Sequence, residues 1–130
     1  MTARFAAVGL VVQDMGRALA FYRLLGLDIP PDADELPHVD VPLTDGGRLM
    51  VDTVETIRSF DLGWHAPSGS HRVGLAFACD SPSDVDAVFG RLVAAGHEGH
   101  LEPWDAVWGQ RYASVHDPDG NSVELFAPLE

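Results

Sequence analysis

Apolar and small residues alternate along Phe5–Val12, with Val8, Leu10 and Val12 on one side and Ala7, Gly9 and Val11 on the other. That period of two predicts a first strand. Asp14 then stands where a helix N-cap belongs. Met15, Ala18, Leu19, Tyr22 and Leu25 come next at helical spacing, and Gly26 sits at the stop position, predicting a helix from about Met15 to Leu25. After a proline- and acid-rich loop (31–35), His38–Leu43 alternates again, and its Pro42 predicts that the run lies at an edge or ends there. Thr44-Asp45-Gly46-Gly47 predicts a turn, and Arg48–Thr53 the next strand. Thr56–Leu62 carries no period that decides its structure.

The stretch 63–70, GWHAPSGS, has linker chemistry at the middle of the chain, and the second half repeats the pattern of the first. Gly74–Cys79 alternates large (Leu75, Phe77, Cys79) with small (Gly74, Ala76, Ala78). Ser81-Pro82-Ser83-Asp84 is a helix start, with a capping serine, proline in the first turn and an acid three residues after the cap. Val85, Val88, Phe89, Leu92 and Ala95 continue as a stripe to Gly96. Shifting the chain by 67 lays Ala7 on Gly74, Val8, Leu10 and Val12 on Leu75, Phe77 and Cys79, and Asp14 on Ser81, with the second helix a few residues longer. A strand about His97–Glu102 and a loop holding two tryptophans lead into the last hairpin.

That hairpin is the most explicit stretch of the sequence. Tyr112–His116 alternates, Asp117-Pro118-Asp119-Gly120-Asn121 is dense in turn chemistry, and Ser122–Phe126 alternates again. Val123 and Leu125 share one face, Ser122, Glu124 and Phe126 the other. A carboxylate at mid-strand among apolar neighbours belongs either to a solvated edge or to a functional cavity, and Glu124 is open to both readings.

WGQRY followed by DPDGNSVEL resembles the C-terminal signature of the vicinal oxygen chelate superfamily, which contains glyoxalase I, extradiol dioxygenases and bleomycin-resistance proteins. Trp108-Gly109, Arg111 and the DPDGN turn look most like the drug-binding resistance branch. The internal duplication is what such a protein should have. The resemblance implies an α+β fold of two tandem βαβββ modules forming a cleft, within a single domain of residues 1–130. Module 1 is expected at about 4–62, a linker at about 63–71 and module 2 at about 72–128. Each sheet gives one face to its helix, and the opposite faces can close around the cleft. It also implies a homodimer.

Composition narrows the partners. A formal charge of −12, no lysine and eight scattered arginines argue against nucleic acid and anionic membranes, whose phosphates need clustered cations. No run reaches the roughly 18 apolar residues of a membrane span. The N-terminal MTARFAAVGLVVQDM reads as a strand running into a helix rather than as a signal peptide. A lone Cys79 forms no internal disulfide, so a reducing, cytoplasmic setting is expected.

In the metal enzymes of this superfamily, the resemblance implies ligands at the start of each module's first strand and within its last strand. Here those positions carry Ala7, Gly74, Met50 (Arg48 or Asp52 if the register slips by two) and Glu124. Alanine and glycine have no donor atom, and one carboxylate does not fix an ion that normally takes three protein ligands. The six histidines form no HxxxH or HExxH pair, and their default is a surface or hydrogen-bonded role; His116 is expected to bond the turn backbone. No catalytic nucleophile is indicated. The small-sided face of Ala7, Gly9, Gly74, Ala76 and Ala78, ringed by aromatics, suits a small organic ligand. The expected lining is Trp104, Trp108, Tyr112, Phe5, Trp64, Met50, Glu124 and Phe126, although any single tryptophan serves equally well as core. The resemblance implies that the loop aromatics clasp a planar or heteroaromatic compound. Sequestration of a planar or cationic compound without metal or other cofactor is the expectation. The alternatives are a metal-dependent lyase, isomerase or dioxygenase using Glu124, and an interaction module with a vestigial cleft.

Overall fold

In the computed structural model, which describes residues 2–44 and 46–130, the alternating runs form strands and the capped stripes form helices. β1 (Ala7–Val12) leads into α1 (Met15–Leu24), whose first turn is held by the Asp14 carboxylate accepting from Arg17 N at 3.0 Å. The predicted end at Gly26 is real: φ is +105° there, and Leu27 N donates to Tyr22 O, closing the helix. The second helix ends the same way, at Gly96 with φ +97° and His97 N donating to Leu92 O. Both stops use glycine because a Cβ disfavours that backbone.

The chain divides into two compact units, one running to Arg23 and from Leu27 to Pro67, the other comprising Leu24–Gly26 and Ser68–Glu130. In the first, β2 (His38–Pro42) and β3 (Arg48–Thr53) join β1 in the order β1-β3-β2, β1 parallel and β2 antiparallel to β3. Register puts Leu10, Val12, Val39, Val41, Leu49 and Val51 on one face, and all six are buried. Each such side chain contributes about 1.5–3 kcal/mol by leaving water. The turn into β3 closes through Leu43 N to Gly47 O and Gly46 N to Leu43 O, while its Asp45 lies outside the described residues. The stretch without a period begins inside a short helix, α2 (Val54–Arg58), capped by Thr53 Oγ1 accepting from Thr56 N at 3.2 Å. Its brevity explains why no period is visible. Leu27–Pro30 is irregular and Pro31–Glu35 is a 3₁₀ turn, so this sheet has three strands among the described residues.

The second unit is a complete βαβββ: β4 (Gly74–Ala78), α3 (Pro82–Ala94), β5 (Glu98–Asp105), β6 (Gln110–His116) and β7 (Ser122–Pro128), in the order β4-β7-β6-β5. Both units thus pair their first strand with their last, in parallel. Ser81 caps α3 through Asp84 N at 3.2 Å, as its residues predict. The helix packs on β5, β6 and β7, and its Val85 and Leu92 are fully buried, as are Ala113, Val115, Val123, Leu125 and Ala127 of the sheet. At Gly99 an added Cβ would fall 2.7 Å from the tip of the Phe89 ring, so the glycine lets that ring of α3 lie on β5.

β5 is longer than expected. It runs through Pro103 and Trp104 to Asp105, so Trp104 is a strand residue and not part of a loop. Pro103 disguises it, and the sheet accommodates that proline because β5 is an edge strand with register shifts at Gly99/Leu101 and Leu101/Trp104. No helix among the described residues is long and apolar enough to cross a membrane.

Candidate functional site

The face of the second sheet opposite α3 is a grid, because antiparallel and parallel register align three cross-strand rows. The first is Gly74, Ser122, His116 and Glu98; the second Ala76, Glu124, Ser114 and Leu101; the third Ala78, Phe126, Tyr112 and Trp104. β4 therefore supplies a small-sided margin, β7 a central carboxylate, and the β5–β6 end an aromatic wall.

Trp108 joins that wall through its turn. Ala106 N bonds Gln110 O and Gly109 N bonds Ala106 O, bringing the indole back over the strands. Its Nε1 donates to Gln110 Oε1 at 2.9 Å. Trp104, Trp108 and Tyr112 then form a mutual edge-to-face trio with centroids 5.3–5.9 Å apart and planes at 78–87°. Trp108 keeps 57% of its surface exposed and Trp104 36%, so the trio still offers ring faces to a ligand.

Glu124 is half-buried and held in one pose. Ser122 Oγ donates to its Oε2 at 3.1 Å, and the Tyr112 phenol lies within reach of its charge. Burial, then the carboxylate's charge, push the Tyr112 pKa up, so the phenol stays a proton donor. The carboxylate lies against Gly74, where an added Cβ would meet Cδ at 2.9 Å and Oε1 at 3.1 Å, with Oε2 closer still. Glu124 thus occupies the space that a side chain at position 74 would need. Beside it, Ser114 is 3% exposed and its Oγ has no hydrogen-bond partner among the described residues.

Of the eight expected site residues, Trp104, Trp108, Tyr112, Glu124 and Phe126 converge on this face. Phe5, Trp64 and Met50 belong to the other unit. Phe5 precedes β1 and is 85% exposed, and Trp64 lies in the loop after α2 with the Arg58 guanidinium 5.8 Å from its ring centroid. Met50 pairs with Gly9 just as Glu124 pairs with Ala76, its counterpart 67 residues on. That register selects Met50 over Arg48 and Asp52 as the equivalent of Glu124.

Ser114, Ser122 and the use made of Gly74 are not visible in the sequence, where a lone serine in a strand carries no signal until cross-strand register is known. His116 does not bond the turn backbone as expected. Its Nδ1 lies 3.2 Å from Glu98 Oε1 and its ring stacks on His100 at 4.6 Å. Arg111, one mark of the resemblance, is engaged elsewhere: Nε and Nη2 grip the Asp86 carboxylate at 2.9 and 3.2 Å, and Nη1 bonds Asp105 at 3.0 Å.

The donor set does not fit the superfamily's divalent ion. Ala7 and Gly74 offer nothing, Met50 a soft thioether, and no three His, Cys, Asp or Glu side chains are grouped to hold an ion among the described residues.

In the first unit, the face carrying Met50 also holds an ion network. His38 Nδ1 lies 2.6 Å from Asp52 Oδ1 and Nε2 3.0 Å from Asp40 Oδ1, while Arg48 Nε is 3.4 Å from the same Asp40 oxygen. The hydrogen bond to Asp52, aided by that to Asp40, outweighs desolvation and raises the His38 pKa above 6.5. A raised folded-state pKa stabilises fully below the unfolded value and is lost as pH climbs through the folded one. Melting temperature is therefore expected to fall as pH rises from about 6 to 8, and His38→Gln should flatten that slope. An unchanged slope in the variant would refute the assignment.

The comparisons with known proteins agree with this architecture. The family model described as Glyoxalase/Bleomycin resistance protein/Dioxygenase superfamily matches residues 4–125. A glyoxalase/bleomycin resistance protein/dioxygenase family enzyme from Burkholderia phytofirmans PsJN superposes with TM-score 0.80 at 18% identity, covering 95% of this chain and 98% of its own. A glyoxalase/bleomycin resistance protein/dioxygenase from Nocardioides gives 0.72 at 27% identity, covering 100% and 86%. TioX from Micromonospora sp. ML1 gives 0.63 at 27%, covering 98% and 100%. No curated protein matched. With its repeated units, parallel first-to-last strand pairing and a family match over nearly its whole length, the chain belongs to the glyoxalase/bleomycin resistance protein/dioxygenase superfamily.

Proposed function

We propose that the protein binds and sequesters a planar or cationic organic compound, in the manner of an antibiotic-resistance protein, without a metal ion. The observation that carries this reading is the Trp104–Trp108–Tyr112 trio standing on the same sheet face as the Glu124 carboxylate. Aromatic faces take a flat ring and the carboxylate its charge. Phe126 extends the wall, and the small Ala76 and Ala78 leave room beside it. This reading also carries a homodimer and a cytoplasmic location.

The magnitudes are adequate. Micromolar affinity requires about 8 kcal/mol. Each aromatic contact supplies roughly 0.5–1.5 kcal/mol beyond burial, and a cation over an indole adds about 0.5–2 kcal/mol. Apolar burial at about 25 cal/mol per Å² must supply the rest and offset the cost of association.

Titration with a planar cationic dye such as proflavine should quench tryptophan fluorescence and raise the melting temperature, whereas zinc and manganese salts should do neither. Elemental analysis of purified protein should find no stoichiometric divalent ion. About one tightly held ion per chain would overturn the reading.

A further inference from the structure

We infer that Glu124 and Ser114 form a paired hydrogen-bonding subsite that selects a flat cation bearing adjacent N–H donors, an amidinium-type amino-heteroaromatic, over a permanent cation lacking them. The inference deepens the sequestration reading and rests on it.

Three observations carry it. Ser122 Oγ holds the Glu124 carboxylate at one oxygen and uses only part of its acceptor capacity, leaving lone pairs for a ligand N–H. Gly74 makes the pose possible, since an added Cβ would collide with both carboxylate oxygens and Cδ. Ser114, the cross-strand partner of Glu124, keeps an Oγ that is buried and unpartnered, an arrangement that folded proteins rarely tolerate without a use. Cross-strand neighbours have Cβ atoms about 4.5–5.5 Å apart, so the Glu124 carboxylate and the Ser114 hydroxyl stand side by side, and two adjacent N–H groups on one ring edge can address both, one donating to Glu124 and the next to Ser114. Because the Ser114 hydroxyl is buried beside the carboxylate, only the thin edge of a ring reaching in along Glu124 can meet it, whereas a methylated nitrogen cannot. Gly74 acts as a positioning residue, and Glu124 and Ser114 as the binding groups.

The test compares 2-aminoquinoline, titrated at a pH where its ring nitrogen is protonated, with 1-methylquinolinium, similarly flat and charged but without the donors. Wild type should prefer the aminoquinolinium by roughly tenfold or more, the worth of one hydrogen bond to a charged group. Glu124→Gln should lower that preference strongly. Gly74→Ala should do so too although it retains the charge, because it displaces the carboxylate. Ser114→Ala should weaken aminoquinolinium binding severalfold while leaving the unliganded melting temperature unchanged or higher, since it removes an unsatisfied buried hydroxyl. A purely structural serine would not give that opposite pair of effects. Equal affinity for the two cations, or a Ser114→Ala variant that binds like wild type, overturns the inference and leaves sequestration standing. Failure of both cations to bind, with proflavine also inert, overturns the two together.

Discussion

Replacing Asp117 by alanine is expected to destabilise the protein by about 2–4 kcal/mol. The residue is 4% exposed, and its carboxylate organises the whole β6–β7 turn: Oδ1 accepts from Asp119 N and Asn121 N at 2.9 Å, and Oδ2 from Asn121 Nδ2 at 2.9 Å. Gly120 N to Asp117 O and Asp117 N to Asn121 O close the turn around it. Alanine would strand two backbone donors in a part-buried setting. Asparagine keeps one acceptor oxygen but turns its amide towards Asn121 Nδ2, so Asp117→Asn should cost less, near 1–2 kcal/mol. Denaturant unfolding of both variants measures the difference. A loss below about 0.5 kcal/mol for alanine would mean that the turn residues, and not this carboxylate, set the hairpin. The consequence reaches the site, since a one-residue slip of β7 against β6 would turn Glu124 and Phe126 to the helix side.

The second large effect should come from the tryptophans, and there stability and affinity are expected to part. Trp104 and Trp108 each touch both other rings of the trio, but Trp104 does so from a strand position and is the less exposed of the two. Trp104→Ala should lose two edge-to-face contacts and some burial, costing roughly 1–3 kcal/mol of stability, and at least about tenfold in affinity for proflavine. Trp108 sits on the turn and is more exposed. Its alanine variant loses the same number of ring contacts but less burial, so it should cost less stability than Trp104→Ala, about 1–2 kcal/mol, yet a comparable share of affinity. Thermal unfolding and fluorescence titration of the two variants give the comparison. Undiminished affinity in Trp108→Ala would remove the aromatic wall from any role in binding.

The contrast between these two residues shows where local pattern suffices. Asp14, Ser81, Gly26 and Gly96 declare both helices because caps and stops are chemistry of a few neighbouring residues, and each lies where its sequence predicts. The 117–121 turn is equally local. β5 reads too short in sequence because Pro103 disfavours a strand in isolation, and only its place at the sheet edge, with two register shifts, makes it acceptable. Thr56–Leu62 stays undecided in sequence because five helical residues are too few to show a period. Arg111 is a mark of the family resemblance in sequence, but in the fold it is engaged with Asp86 and Asp105.

Taken alone, the order of residues determined the duplication, the face each strand turns to its core, the turn chemistry and the absence of metal-binding groups at positions 7 and 74, since each is a matter of side-chain type and short periods. Tertiary structure decided what those faces become. Cross-strand register, a relation between residues distant along the chain, set Trp104 against Tyr112, laid the Glu124 carboxylate into the space left by Gly74, and left Ser114 buried beside it without a partner.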